Sequence, residues 1–212
     1  MNCNVIATGS TGNAVILEDI VLIDAGVPYK ALEAHTKALK LVLLTHIHQD
    51  HFKPPTLRRL AQERPTLRFA CCEWLVQPLL SAGIPARNID VLVPGEWYHY
   101  SSVLLSPFQL FHDVDNCGYK IHMDGEKALY ATDTGTMEGV EAKDYDLYMI
   151  ESNHEEAEIQ ERIQRKLEAG EFVYEYRAAV GHLSREKADA WLAQNATPGK
   201  SKVVFLHGHK EE

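Results

Sequence analysis

Near residue 45 the chain reads Leu41-Val42-Leu43-Leu44-Thr45-His46-Ile47-His48-Gln49-Asp50-His51. The apolar half of this segment is typical of a buried strand. The strand is followed at once by His46, His48, Asp50 and His51, whose side chains can all ligate metal ions. A buried strand rarely ends in such a costly polar cluster unless a cation compensates for it. The segment therefore predicts a strand that delivers metal ligands, and imidazole with carboxylate suits Zn²⁺ or Mn²⁺.

Short apolar runs bounded by Gly, Asp and Pro lie on both sides of this segment and predict further strands. The predicted strands are Val5–Thr8, Ala14–Glu18, Ile20–Ile23, Leu41–Leu44, Arg68–Cys71, Val91–Val93, Ser102–Phe108, Tyr119–His122, Ala128–Ala131, Tyr145–Ile150 and Lys202–Leu206. The predicted helices are Tyr29–Leu39, Pro55–Gln62, Glu155–Ala169 and Ser184–Gln194. This mixture indicates stacked β layers covered by helices.

Composition limits the class of protein. A chain of 212 residues, with 45% hydrophobic and 24% charged residues, suits one globular domain. None of the four cysteines forms a C-x-x-C pair, so a cysteine-based zinc site has no support. The formal charge of −9 argues against a protein that coats long nucleic acid by electrostatics alone. Because we find no signal-peptide pattern and no apolar run of ~20 residues, we expect a cytoplasmic protein that does not bind membranes.

The H-x-H-x-D-H pattern resembles the signature of the metallo-β-lactamase superfamily, and other elements of that family follow in order. Asp24, at the end of an early strand, resembles the carboxylate that supports the histidine loop. His112, Asp133 and His207 resemble the third histidine of the first metal, the aspartate that bridges both metals and the last histidine. His209 is the alternative to His207, since it lies two residues further on.

This resemblance implies an α+β fold, a four-layer αββα metallo-β-lactamase sandwich that forms a single domain over residues 1–212. It also implies two divalent metal ions, Zn²⁺ or Mn²⁺, as cofactors. His46, His48 and His112 would hold the first ion. Asp50, His51 and His207 would hold the second, with Asp133 shared. A hydroxide that bridges the two metals would attack the substrate, and Asp50 would orient it.

Two later segments resemble the YycJ-like branch of the superfamily and ribonuclease Z. They are Ile150-Glu151-Ser152-Asn153-His154-Glu155 and Val180-Gly181-His182-Leu183-Ser184-Arg185. The resemblance implies that Glu151 and His182 handle the proton of the leaving group. Ser184 and Arg185 are candidates for binding a phosphate oxygen, because Ser184 opens a predicted helix.

These features predict a metal-dependent phosphodiesterase that acts on nucleic acid as a DNA or RNA exonuclease. Cleavage of a cyclic nucleotide or another small phosphodiester is the alternative. Hydrolysis of an ester or lactone is a further one, because one fold hosts many reactions. The chain lacks the long RNA-grasping arm of ribonuclease Z, so transfer-RNA processing is not expected. A homodimer is compatible with the resemblance, although no stretch of sequence identifies its interface.

Overall fold

The computed structural model describes residues 1–208 of the chain. It consists of two compact units, Met1–Pro107 (unit 1) and Phe108–Glu212 (unit 2). One domain over residues 1–212 stays a prediction. None of the helices in residues 1–208 is long and apolar enough to span a membrane.

Unit 1 contains a six-stranded sheet in which the strands follow one another in chain order. Its strands are β1 (Cys3–Ala7), β2 (Ala14–Leu17), β3 (Val21–Ile23), β4 (Leu41–Leu44), β5 (Arg68–Cys72) and β6 (Ile89–Leu92). Its helices are α1 (Tyr29–Leu32), α2 (Pro54–Glu63) and α3 (Val76–Ala82). The strands β1 to β3 pair antiparallel, whereas β3 to β6 pair parallel.

The parallel part of this sheet explains where its polar residues collect. Every residue of β4 is buried, and Val42 and Leu44 pack in a core with Leu57 and Leu60 of α2. In the parallel register Ile23 of β3 lies beside Leu43 of β4. The carboxyl ends of both strands therefore meet at one edge of the sheet, where α/β sheets commonly place their functional residues.

The second sheet has the order β12-β11-β10-β9-β8-β7. Its strands are β7 (Tyr98–Tyr100), β8 (Val103–Leu110), β9 (Asn116–Met123), β10 (Glu126–Ala131), β11 (Leu147–Glu151) and β12 (Lys202–Leu206). Strand β7 belongs to unit 1, and β8 begins there and ends in unit 2. The helices of unit 2 are α4 (Glu156–Ala169), α5 (Glu175–Gly181) and α6 (Arg185–Asn195).

In unit 2 the strands β10, β11 and β12 are parallel. Their register pairs Ala131 with Ile150, and Ile150 with Phe205. The residues that end these strands or follow them are consequently brought to one edge. Tyr148 and Leu192 belong to the apolar core that lies on one side of this sheet.

Most predicted elements are confirmed, and Leu41–Leu44 and Lys202–Leu206 agree residue for residue. The predicted helix Tyr29–Leu39 is wrong beyond Leu32, where α1 ends. After that point the chain makes short-range turns, and the Thr36 hydroxyl donates to the Glu33 carbonyl at 3.2 Å. Such local side-chain bonds compete with helical ones. The sequence analysis also missed α3 and α5, which have only seven residues each.

Candidate functional site

Asp24 organises the histidine loop of unit 1, which we define as residues 45–52. It follows β3 directly, is fully buried and has a left-handed backbone with φ 57°. One carboxylate oxygen accepts from the Thr45 backbone N–H at 3.0 Å. The other lies 2.7 Å from Nδ1 of His51. Because this carboxylate holds the proton on Nδ1, the lone pair that a metal ion would take lies on Nε2 of His51, where the Asn13 amide nitrogen approaches to 2.7 Å.

The loop is held against the end of β3 by its backbone as well. The Ala25 N–H donates to the His51 carbonyl at 2.9 Å. A Cβ at Gly26 would overlap the Asp50 carbonyl oxygen, so only glycine allows this close approach. His46 and His51 are buried, and their ring centres lie 4.1 Å apart. The rings of His46 and His48 are 4.8 Å apart. The predicted ligands of the loop are thus brought together.

Asn13 is a residue of this cluster that the sequence analysis missed. Its side chain accepts from the Gly9 N–H at 2.9 Å and donates to the Asp50 carbonyl at 3.2 Å. The same amide nitrogen lies 2.7 Å from Nε2 of His51. The only available signal was the Gly-rich turn at residues 8–13, and that signal does not name a partner.

Unit 2 contains a second cluster, formed by Asp133, Glu151, His182 and His207. One ligand atom of each lies within 4.8 Å of the others. Oδ1 of Asp133 is 3.5 Å from Nδ1 of His182 and 3.5 Å from Nε2 of His207. The cluster forms because Asp133 and His207 follow β10 and β12, and Glu151 ends the strand between them.

Glu151 is a fully buried carboxylate at the centre of this cluster. One oxygen lies 2.6 Å from Nδ1 of His182 and 3.2 Å from Nδ1 of His207. The other accepts from the backbone N–H groups of Thr134 at 2.9 Å and Leu183 at 3.1 Å. Burial alone would raise the pKa of Glu151, but the bonds from the two histidines outweigh it and hold this pKa below its usual value.

The pKa of His182 is shifted in the opposite direction. Burial alone would lower the pKa of His182, but the hydrogen bond to Glu151 and the negative charges of Glu151 and Asp133 outweigh it and raise this pKa. The pair therefore favours a protonated imidazole beside an ionised carboxylate. An imidazolium held in this way can donate a proton from Nε2.

Asp133 adopts a left-handed backbone with φ 57°, which is uncommon outside glycine. Asn116, another residue missed from the sequence, supports this conformation. It is fully buried, and its Nδ2 donates to the carbonyls of Thr132 at 3.0 Å and Asp133 at 2.7 Å. The Thr132 hydroxyl donates to Oδ2 of Asp133 at 2.6 Å. These bonds aim the carboxylate at the cluster.

His112 lies at the border of the unit 2 cluster. Its Nε2 is 4.0 Å from Oδ1 of Asp133, and its Nδ1 is 3.2 Å from the Gly181 carbonyl, to which it can donate. Burial lowers the pKa of His112, although Asp133 and Asp113 oppose this effect. Burial therefore favours the neutral imidazole, which is the form that ligates metals.

Ser184 and Arg185 make contacts typical of a helix end. Ser184 is buried, and its hydroxyl caps α6 by accepting from the Lys187 N–H at 3.2 Å. The Arg185 guanidinium donates to Asp189 at 2.8 Å and lies 4.1 Å from the ring centre of Phe205. A role for either in substrate binding stays a prediction. His209, the alternative last ligand, lies outside the described residues.

The donor sets fit a divalent cation. Each cluster combines imidazoles with carboxylates, the ligands that Zn²⁺ and Mn²⁺ accept. In the unit 2 cluster Asp133 and Glu151 are both buried, and two ionised carboxylates so close together need positive charge nearby. A bound cation would supply that charge in addition to the protonated His182, and a neutral imidazole such as that of His207 would be a ligand.

Comparisons with known proteins identify the family and the fold of the chain. The model of the family described as "Beta-lactamase superfamily domain" matches residues 20–207. No curated protein matches the sequence. The metallo-β-lactamase fold protein YhfI from Bacillus subtilis has a similar structure, with a TM-score of 0.74 at 15% identity; the match covers 99% of this chain and 87% of that one.

Two further solved structures share the fold. The short form of human tRNase Z has a TM-score of 0.72 at 16% identity, with 99% of this chain and 93% of that chain covered. A diphosphatase from the PhnP family has a TM-score of 0.66 at 14% identity, with 97% and 85% covered. At these identities the likeness shows the fold alone. From the family match and the fold together, the chain belongs to the β-lactamase superfamily and has the metallo-β-lactamase fold, which supports a metal-dependent hydrolase.

Proposed function

We propose that the protein is a metal-dependent phosphodiesterase that acts on nucleic acid as an exonuclease. The observation that carries this proposal is the hydrogen-bonded pair of Glu151 and His182. Nδ1 of His182 lies 2.6 Å from Oε1 of Glu151 and 3.5 Å from Oδ1 of Asp133. Cleavage of a phosphodiester expels an alkoxide, which leaves far more easily when an acid protonates it. The fold shared with a tRNase Z and a diphosphatase supports the same reaction class.

The proposed ligand set follows the order of the family's motifs along the sequence. As the resemblance implies, His46, His48 and His112 would hold one divalent ion. Asp50, His51 and His207 would hold a second, and Asp133 would be a ligand shared by both. Zn²⁺ and Mn²⁺ are the proposed metals. Such ions polarise a phosphoryl oxygen and lower the pKa of water, which supplies a nucleophile near neutral pH.

The chain's own residues prepare this site before any substrate arrives. Asp24 holds the proton on Nδ1 of His51, and the Gly181 carbonyl does the same for His112. Each contact presents the Nε2 lone pair to a cation. Asp50 accepts a hydrogen bond from the attacking water and orients it. His182, held by Glu151, donates its Nε2 proton to the departing oxygen.

A small phosphodiester such as a cyclic nucleotide is the second candidate substrate. The formal charge of −9 favours it, because an acidic protein repels the extended phosphate backbone of a polymer. The same metal ligands and the same acid would serve both substrates, so the two candidates differ only in what binds next to the phosphate.

Hydrolysis of bis(p-nitrophenyl) phosphate by the Mn²⁺- or Zn²⁺-loaded protein tests the proposal. We expect turnover in the native chain, its loss in Asp50→Ala, and no change in Glu96→Ala, which removes an exposed carboxylate. Labelled oligonucleotides and cyclic nucleotides then separate the two substrates. A metal-loaded protein that hydrolyses none of these phosphodiesters would contradict the proposal and favour an ester or lactone as substrate.

A further inference from the structure

A cavity of about 490 Å³ adjoins the histidine loop within unit 1. Its walls come from that loop, from the start of α2 and from α3. The lining residues are Ile47, Gln49, Phe52, Lys53, Pro54, Pro55, Pro78, Ser81 and Ala82. Its volume lies in the range of roughly 300–1,000 Å³ that is usual for small-molecule sites. None of the residues for which we propose metal binding or proton transfer lines this cavity.

The walls of the cavity are mainly flat, rigid and apolar. Phe52 contributes an aromatic ring, and Pro54, Pro55 and Pro78 contribute pyrrolidine rings. Two of these prolines occupy the first positions of α2, where they remove backbone N–H groups. This helix start is therefore a poor cradle for a phosphate and a good surface for a planar apolar group.

Three polar side chains accompany the apolar walls. Gln49 offers an amide that can both donate and accept, Ser81 offers a hydroxyl and Lys53 offers a positive charge. Within residues 1–208 the structure gives these three side chains no internal hydrogen bond or ion pair. Flat apolar walls, an amide and a nearby cation together match a planar heterocycle with polar edges that is attached to an anion.

Two lining residues of the cavity also lie among the proposed metal ligands along the chain. Ile47 and Gln49, which line it, alternate with His46, His48 and Asp50, for which we propose metal binding. Ile47 is 40% exposed, although the preceding residue, His46, is buried. A group that contacts Ile47 and Gln49 therefore touches the same short loop that carries the proposed metal ligands.

We propose that this cavity binds a nucleobase of the substrate, namely the base next to the scissile phosphodiester. The base lies against the proline and phenylalanine rings, Gln49 reads its polar edge, and Lys53 attracts the phosphate. This inference rests on the proposed phosphodiesterase function and names the part of the substrate that the loop recognises. It predicts that a nucleotide is preferred over a phosphodiester without a base.

Two substrates that differ only in the base-bearing group test the inference. These are the p-nitrophenyl ester of thymidine 5′-monophosphate and methyl p-nitrophenyl phosphate, which share one leaving group. Ser81→Trp places an indole in the mouth of the cavity, because Ser81 is exposed there. Leu80→Trp, on the same helix, is the matched control, since Leu80 is exposed and does not line the cavity.

We expect the ratio of kcat/KM for the thymidine ester to kcat/KM for the methyl ester to fall about tenfold or more in Ser81→Trp, since stacking of one base is worth about that factor. The ratio should not change in Leu80→Trp. An unchanged ratio in Ser81→Trp would overturn the inference while the turnover itself upholds the phosphodiesterase. Thermal melting checks that both variants fold, and Ser81→Tyr replaces Ser81→Trp if the larger side chain prevents folding.

A binding measurement decides the question even if neither ester is hydrolysed. Calorimetric titration of the metal-loaded protein compares thymidine 5′-monophosphate with inorganic phosphate. We expect the nucleotide to bind more tightly, and Ser81→Trp to abolish that advantage while Leu80→Trp keeps it. Equal affinities for the two ligands in the native protein would overturn the inference.

Discussion

Replacing Asp24 by asparagine tests how the buried carboxylate prepares the histidine loop. The change keeps the shape of the side chain, and asparagine tolerates the left-handed backbone of this position, with φ 57°. Asp24 accepts from the Thr45 N–H at 3.0 Å and lies 2.7 Å from Nδ1 of His51. An amide has one oxygen and one N–H₂ group, so one of these two N–H donors must then face another donor.

The size of the effect follows from that conflict. A buried donor left without an acceptor costs about 1–3 kcal/mol. The free energy of unfolding of the metal-free variant should fall by that amount, so the variant should unfold at a lower urea concentration. If the amide nitrogen faces His51 instead, the proton moves from Nδ1 to Nε2 and the ligand lone pair is lost. Removing such a supporting group typically lowers metal affinity by about 10–100-fold.

Urea unfolding of the metal-free protein and Zn²⁺ titration against a competing chelator measure the two effects. Asp19→Asn is the matched control, because Asp19 also has a left-handed backbone, with φ 58°, but is exposed. We expect the control to match the native protein in both assays. Native-like Zn²⁺ affinity in Asp24→Asn would refute the argument that the carboxylate sets the tautomer of His51.

Three further predictions concern other parts of the chain. Glu151→Gln should lower kcat for a labelled oligonucleotide, whose cleavage expels an alkoxide, about 100-fold or more with little change in KM, since the amide no longer favours the charged form of the adjacent imidazole that protonates this leaving group. In the folded protein a thiol reagent should modify the half-buried Cys3 quickly and the three buried cysteines slowly, because burial raises the pKa of Cys71 to about 12; urea should expose all four. Burial alone would raise the pKa of Glu175, but the ion pair with Lys166 at 2.7 Å outweighs it and lowers this pKa. The pair therefore stabilises the fold above the unfolded pKa of about 4.3 and loses this effect as pH falls through the lower folded pKa. Urea titrations should show Glu175→Gln less stable than the native chain at pH 7 and equally stable near pH 2.

The sequence was sufficient for the parts of the site that are local in the chain. A buried strand followed at once by His46, His48, Asp50 and His51 is a signal contained in eleven residues. The strand Leu41–Leu44 is confirmed, and the loop after it brings the three histidine rings together. Local patterns succeed here because hydrophobic periodicity and the abrupt change to polar residues report directly on burial.

The sequence was weaker where short segments depend on packing. The predicted helix Tyr29–Leu39 stops at Leu32, because a turn stabilised by Thr36 competes with the helix. Helices of seven residues, such as α3, have too few positions to show a period and are stabilised by tertiary contacts. These errors change the description of the fold without moving any proposed ligand.

Only the tertiary structure decided which distant residues meet, and by which atoms. Asp133, Glu151 and His207 converge because three parallel strands end at one edge of a sheet. The order of the strands in a sheet cannot be predicted from a local sequence pattern. The Gly-rich turn around Asn13 named no partner, and Asn116 gave no signal, because the sequence does not tell whether an asparagine is exposed or donates to a buried carbonyl. The amino-acid sequence thus named the ligand types through their chemistry, whereas hydrogen-bond partners, protonation states and the cavity beside the loop depend on distances that exist only after the chain has folded.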